Sequence, residues 1–302
     1  MAQTISSGEM QQFLGSVFNP LAEQVTWIAS GWFSQVFSFE VGERAYIIRL
    51  NPYEADFQKD VFAYQHYAGP GLPVPRILQI GQFDRRYYFA ISERCAGKAL
   101  VDFEDEPVRQ MVPALFETLD TIHNVDVSGF EGWGLTGVDG HGLFGSWTEY
   151  LLSLYNQKFI FDWQDLAQNT FLERDVFESA YTAFQELIPY CSTEKFLLHG
   201  DFGAHNLVSD GKVITGVLDW ADSRLGDYLY DIAYLDYETK DSFYIKLWCQ
   251  YASSQGRQEP NFKQRTRCYK LHNVLNDLAV SAIQGNIEYY EHTKDRLHAM
   301  IK

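Results

Sequence analysis

The stretch His199-Gly200-Asp201-Phe202-Gly203-Ala204-His205-Asn206 constrains this chain more than any other segment. It follows one short apolar run, Phe196-Leu197-Leu198. It precedes a second, Val213-Ile214-Thr215-Gly216-Val217-Leu218, which ends in Asp219-Trp220. Apolar runs of this length read as buried strands. Two strands flanking a loop can bring Asp201, Asn206 and Asp219 to one edge. Such a trio divides two tasks between oxygen-bearing side chains. A hard cation such as Mg²⁺ takes one or two oxygen ligands from protein and the rest from phosphate and water. A carboxylate kept off the metal can orient a hydroxyl and accept its proton.

Around this segment the chain changes character once. From about residue 24 to 50 it reads as strands, including a hairpin of 36–41 and 45–50 around the turn Gly42-Glu43-Arg44. Asn51-Pro52 stops the second strand, because proline cannot donate to a ladder. Phe57, Val61, Tyr64 and Ala68 share one face of a helix over 56–68, which Gly69-Pro70-Gly71 breaks. Strands follow near 76–82 and 87–93. Beyond Gly97 the pattern is helical. Val108, Met111, Leu115, Leu119 and Ile122 recur at helical spacing, with Pro113 marking a kink or a later start. Further helices are expected over 146–156, 174–189, 240–252 and 264–283. The fold class is therefore α+β in two lobes. A β-rich N-lobe spans 1–95, a helical C-lobe spans 96–302, and Glu93–Gly97 is the hinge.

The net charge of −16 is unevenly placed. Residues 1–95 hold seven Lys/Arg and nine Asp/Glu, giving −2; residues 96–302 hold 17 and 31, giving −14. An acidic body disfavours nucleic acid, whose phosphates need basic partners, and draws cationic small molecules towards its clefts. No apolar stretch is long enough to span a bilayer, so no membrane partner is expected. Four scattered cysteines, Cys95, Cys191, Cys249 and Cys268, form no C-x-x-C pair. This disfavours a zinc site or disulfide scaffold and suits the cytoplasm.

The spacing D-x-x-x-x-N matches the catalytic loop of protein kinases, with Gly200 in place of their arginine. Asp219-Trp220-Ala221 replaces D-F-G and no A-P-E segment follows, so protein phosphorylation is disfavoured. The combination HGDFGAHN and VLDWADSRLGDYLYDIAYL resembles the aminoglycoside phosphotransferase family, and within it the hygromycin branch. That family's pattern is HGDxxxxN, then a hydrophobic-Asp-Trp/Phe, then GDxxxDLA. Other carriers of the likeness are Ser38–Gly42 with Tyr46–Asn51, Lys59-Asp60 and Leu72–Gly81. It runs almost from end to end and is loosest over the last 60 or so residues.

The resemblance implies a kinase-like fold, with Mg²⁺ as cofactor and ATP or GTP as phosphoryl donor. It makes Asp201 the catalytic carboxylate and Asn206 and Asp219 the metal ligands. Arg49 takes the place of the phosphate-gripping lysine, as in the hygromycin branch. Asp60 falls where the kinase helix supplies a glutamate to that cation, one methylene shorter. Gly31 and Ser34 fit the turn over the triphosphate, and Ser92, Glu93, Arg94 and Cys95 fit the hinge whose backbone pairs with the base. Asp227 and Asp231 read as carboxylates that hold the loop backbone or cap a helix, and His199 as a residue that orients the loop. Candidates facing the acceptor are His205, Asp222, Glu238 and Asp277. Carboxylates there would bind protonated amines through charge-assisted hydrogen bonds. The run Tyr228, Tyr230, Tyr234, Tyr237 reads as lobe core.

The leading expectation is a Mg-dependent O-phosphotransferase, a monomer or weak dimer, that inactivates a cationic aminoglycoside or aminocyclitol like hygromycin B. The alternatives are a kinase of another hydroxyl metabolite, such as choline, homoserine or a macrolide, and a pseudokinase that binds nucleotide without turnover.

Overall fold

The computed structural model describes residues 5–30, 34–154, 162–237 and 239–301. In chain order the first elements are α1 (Ser7–Val17), β1 (Glu23–Ser30), β2 (Gln35–Val41), β3 (Arg44–Asn51), α2 (Glu54–His66), β4 (Ile77–Gln82), β5 (Tyr88–Glu93) and β6 (Lys98–Ala99). Next come α3 (Asp105–Gln110), α4 (Val112–His123), β7 (Trp133–Thr136), β8 (Gly142–Phe144), α5 (Trp147–Leu152), α6 (Trp163–Asn169) and α7 (Arg174–Leu187). The last are β9 (Phe196–Leu198), β10 (Leu207–Ser209), β11 (Ile214–Val217), β12 (Arg224–Gly226), α8 (Leu229–Tyr237), α9 (Phe243–Ser254), α10 (Phe262–Gln284) and α11 (Ile287–Ile301). The expected α+β, bilobal, kinase-like architecture is present, as a β-rich unit and a helical unit.

The boundary differs from the one read at residue 95. The first compact unit comprises Met1–Glu104 together with His205–Ala221; the second comprises Asp105–Ala204 and Asp222–Lys302. The reason is pairing: β10 lies between β11 and β6 in a three-stranded sheet, so 205–221 is tied to the chain just past the hinge. Gly97 permits this closeness. Its φ is +104° and a Cβ there would stand 1.8 Å from the Ser209 carbonyl oxygen.

In the first unit an antiparallel sheet runs in the order β1-β2-β3-β5-β4. Strand residues alternate between faces. Phe37 and Phe39, Ile48 and Leu50, and Phe89 and Ile91 all fall on one face and bury against Met10 and Leu14 of α1. A capping box between Ser6 and Glu9 starts that helix, which the sequence pattern had not shown. Arg49, one residue out of phase with Ile48, consequently points to the opposite face, where α2 lies against β4 and β5. The hairpin turn is tighter than expected. Val41 pairs with Arg44, leaving Gly42-Glu43 as a two-residue loop with Gly42 at φ +61°.

The second unit holds a four-stranded sheet, β8-β7-β12-β9, and the longer helices. Pro113 resolves as a break, with α3 ending at Gln110 and α4 carrying the proline in its first turn, where a missing N–H costs nothing. The helix α10 packs against α7, α8 and α11, and Cys268, Tyr269, Leu271, Val274, Leu275 and Leu278 are fully buried on it. A helix apolar on most sides must lie inside a unit. Among the described residues no helix is long and apolar enough to cross a membrane.

Candidate functional site

In the first unit the chemistry gathers around Arg49. Its guanidinium forms an ion pair with Asp60 of α2, and Asp219 Oδ2 lies 3.7 Å away. Burial alone would lower the pKa of Arg49. The charges of Asp60 and Asp219 outweigh it and hold the group above its ordinary value. The shorter acid at position 60 thus reaches its cation. Its second oxygen has another task, accepting the Trp220 N–H at 2.8 Å, while Lys59 Nζ donates to the Ala221 carbonyl at 2.6 Å. Adjacent residues of one helix therefore clamp the segment just after Asp219.

That clamp accounts for the geometry of Asp219. It follows β11 with φ +63°, a left-handed conformation that Asp tolerates better than most residues. Asp60 and Arg49 are 5% and 18% exposed, whereas Asp219 is 44% exposed, so its carboxylate is the member that solvent and ligands can reach. Asn206 stands at the entry to β10. Its carbonyl accepts the Leu218 N–H at 2.8 Å, and Leu207 pairs with Val217. Asn206, just before β10, and Asp219, just after β11, thus flank the paired ends of two adjoining strands of one unit and offer one amide and one carboxylate oxygen set. Two hard donors, one of them anionic, suit a cation that keeps most of its shell for phosphate and water. Among the described residues no group of three or more His, Cys, Asp or Glu could form an all-protein metal cage.

The hinge residues occupy a second part of this unit. Ser92 is buried and pairs with both Ile47 and Ile77. The N–H groups of Glu93 and Arg94 donate to the carbonyls of Arg76 and Ala45 at 3.1 and 3.2 Å. Cys95 lines a depression of about 240 Å³ with Glu93, Arg94, Tyr64, Arg76 and Thr215. Burial, then the Glu93 charge, pushes its thiol up to about 11, so it is protonated at neutral pH. Ser34 lies between β1 and β2, while Gly31 falls outside the described residues.

In the second unit the loop that carries Asp201 is fixed from below. The carboxylate of Asp231 accepts the N–H groups of His199 and Gly200 at 3.0 and 2.8 Å and meets His123 Nε2 at 3.0 Å. Arg224 donates to the Gly200 carbonyl at 2.5 Å and to the Tyr150 hydroxyl at 2.6 Å. Gly200 has φ +84°, and a Cβ on it would stand 1.9 Å from the Asp222 carbonyl and 2.2 Å from Arg224 Nη1. No side chain fits there, which is why glycine stands where protein kinases carry arginine. His199 is wholly buried, and its Nδ1 accepts the Asp201 N–H at 3.3 Å. It orients the loop, as its sequence position suggests. Asp227 is also structural, held by Arg265, Tyr269 and the N–H groups of Ser192 and Leu229. Asp236 is buried against Lys270, Thr239 and the Ile245 N–H.

Tyr234 was read as core, and the structure gives it a second role. It stands three residues after Asp231 on α8, hence on the same face, and its hydroxyl lies within the electrostatic reach of Asp201. Burial pushes that hydroxyl well above its ordinary value and the Asp201 charge adds to this, so it stays protonated at working pH. Tyr234 also lines a cavity of about 230 Å³ whose wall includes Gly200, Asp222, Arg224, Asn273 and Asp277. Asp222 is 52% exposed there. Asp277 accepts from the hydroxyls of Tyr237 and Tyr289, both at 2.8 Å. Two of the four acceptor candidates therefore meet at one cavity. His205 is exposed in the first unit, and Glu238 lies outside the described residues. Arg224, Tyr234 and Asn273 escaped the sequence reading because nothing in their spacing separates a cavity wall from a core.

The comparisons with known proteins agree with this geometry. The model of the phosphotransferase enzyme family, APH, matches residues 24–262. Hygromycin-B 4-O-kinase of Escherichia coli is 28% identical over 307 residues, covering 99% of this chain and 86% of that protein. The crystal structure of aminoglycoside phosphotransferase APH(4)-Ia superimposes with a TM-score of 0.83 at 25% identity over 98% of both chains. A thermostable mutant of it, in ternary complex with AMP-PNP and hygromycin B, gives 0.81 at 26% identity over 96% of this chain and 97% of that one. With most of its length inside the family model and a kinase-like fold, the chain belongs to the APH phosphotransferase enzyme family and is a small-molecule kinase.

Proposed function

We propose that this kinase uses Mg²⁺ to transfer the γ-phosphate of ATP or GTP to a hydroxyl of an aminoglycoside or aminocyclitol of the hygromycin B kind, inactivating it. The observation that carries the reading is the cavity of the second unit. Its wall joins the loop that positions Asp201 to two carboxylates, Asp222 and Asp277. A protonated amino sugar would find anionic partners there, with a base on the adjoining loop. The likeness to the Escherichia coli hygromycin-B 4-O-kinase and to the hygromycin B-bound structure supports the same acceptor.

Each residue set has a distinct part. Asn206 and Asp219 would hold the cation, which when bound neutralises phosphate charge. Arg49, fixed by Asp60, would hold phosphate oxygens with a guanidinium that stays charged at any working pH. With the Glu93 and Arg94 N–H groups engaged in the sheet, base pairing with the backbone falls to the stretch beginning at Cys95. Asp201, oriented through its own N–H, would accept the proton of the attacking hydroxyl.

The cationic acceptor is testable through salt. Raising ionic strength from about 0.1 M to about 1 M shortens the Debye length from about 10 Å to about 3 Å. The attraction of a polyamine to half-exposed carboxylates should weaken accordingly. The KM for hygromycin B is expected to rise several-fold more than the nucleotide KM. An acceptor KM indifferent to salt, or an uncharged best acceptor, would remove the amino-sugar assignment and leave the kinase assignment standing.

A further inference from the structure

We propose that Asn273 is a specificity-determining residue whose side-chain amide donates a hydrogen bond to a hydroxyl or ether oxygen of the acceptor. The proposal rests on the reading that the second-unit cavity takes the acceptor. Asn273 lies on α10, is only 4% exposed, and still lines that cavity. Its Oδ1 accepts the Tyr230 hydroxyl at 2.8 Å, whereas its Nδ2 is buried and has no partner in the protein. Buried donors are almost always satisfied in folded proteins, and one left unmade is costly. Because the residue lines the cavity, an oxygen of a ligand there can supply the acceptor that the protein does not, with a small movement of the amide.

The neighbouring network fixes which way the amide points. Burial, reinforced by the Arg224 charge, pushes the His272 imidazole down to about 3, so it is neutral at working pH. Its Nδ1 lies 3.2 Å from the Asn276 amide nitrogen and 3.1 Å from the Tyr230 oxygen. The Tyr230 hydroxyl donates to Asn273 Oδ1 at 2.8 Å. The NH₂ end is thereby left without an acceptor in the protein. The guanidinium of Arg224, 4.8 Å from the centre of the Tyr230 ring, helps to hold that phenol in place.

The chemistry then divides cleanly. Asp222 and Asp277 accept hydrogen bonds and attract ammonium groups, while an amide NH₂ cannot pair with an ammonium. What it can take is an oxygen acceptor, in a ligand rich in hydroxyl and ether oxygens. A site built to make such a bond discriminates against analogues that lack the oxygen.

The substitution Asn273→Asp separates this role from simple charge attraction. It keeps an oxygen for Tyr230, removes the donor, and adds a negative charge. If the cavity merely attracted a polycation, the variant would bind hygromycin B as well as or better than the unaltered protein. The donor role predicts the reverse: calorimetric affinity for hygromycin B weaker by about ten-fold or more, with the Mg²⁺·nucleotide KM little changed. Equal or tighter binding overturns the proposal. Should the variant fail to fold, the unaltered protein carries the test, through the side-chain ¹⁵N resonance of Asn273 titrated with hygromycin B, choline and myo-inositol. A shift with an oxygen-rich ligand supports the assignment, and no shift with any of the three overturns it. Phosphoryl transfer to hygromycin B with an unmoved resonance defeats this inference alone. A shift with myo-inositol but no transfer to a cationic acceptor defeats the amino-sugar reading and leaves Asn273 in its role.

Discussion

Replacing Asp201 by Asn is expected to lower turnover by about 100-fold or more while Mg²⁺·nucleotide affinity stays near that of the unaltered protein. The exchange is nearly isosteric, and the loop is held by groups it does not touch. Asp231 binds the His199 and Gly200 amides, Arg224 binds the Gly200 carbonyl, and the Asp201 N–H meets His199 Nδ1. The variant therefore loses a base and little else. The contrast with nucleotide binding is informative because Arg49, Asn206 and Asp219 belong to the other compact unit. Steady-state kcat and calorimetry with a nonhydrolysable nucleotide measure the two quantities separately. Turnover close to that of the unaltered protein would take Asp201 out of the chemistry. A parallel loss of nucleotide affinity would recast it as a metal ligand.

A second large effect is expected for Asp219→Asn. Asparagine tolerates the left-handed conformation at φ +63°, so the change isolates the charge from the backbone. Arg49 keeps its ion pair with Asp60, and Trp220 keeps its hydrogen bond to the same residue. The unfolding midpoint should therefore move by no more than a few degrees. Losing the one anionic oxygen of the proposed metal pair removes charge stabilisation of several kcal/mol, which is about 100-fold or more in rate. Nucleotide affinity should also become much less sensitive to Mg²⁺. A Mg²⁺ titration that coincides with that of the unaltered protein would refute the ligand assignment.

The parts legible in the sequence were those written in short-range periodicity or in a spaced motif. The 36–50 hairpin alternates aromatic and aliphatic residues on one face, and its register follows from that alternation. Asp201, Asn206 and Asp219 are marked by spacing, and the roles of Asp227 and Asp231 by the family resemblance of the GDxxxD stretch. Long-range pairing was not legible. The short strands β7, β8, β10 and β12 are three or four residues each, too brief to show a period. The return of 205–221 to the first unit depends on β10 pairing with a two-residue strand at Lys98. The cavity wall was hidden for a related reason. Asn273 and His272 sit on a helix buried on most sides, where polar residues look like interruptions of a core until their partners are seen.

The most direct measurement is phosphoryl transfer itself, followed by mass spectrometry of hygromycin B incubated with the protein, Mg²⁺ and either ATP or GTP. The account predicts one added phosphate per acceptor molecule, lost when Mg²⁺ is chelated and nearly lost in Asp201→Asn. Nucleotide consumed with no change in the acceptor, or phosphorylation that persists without Mg²⁺, would contradict it.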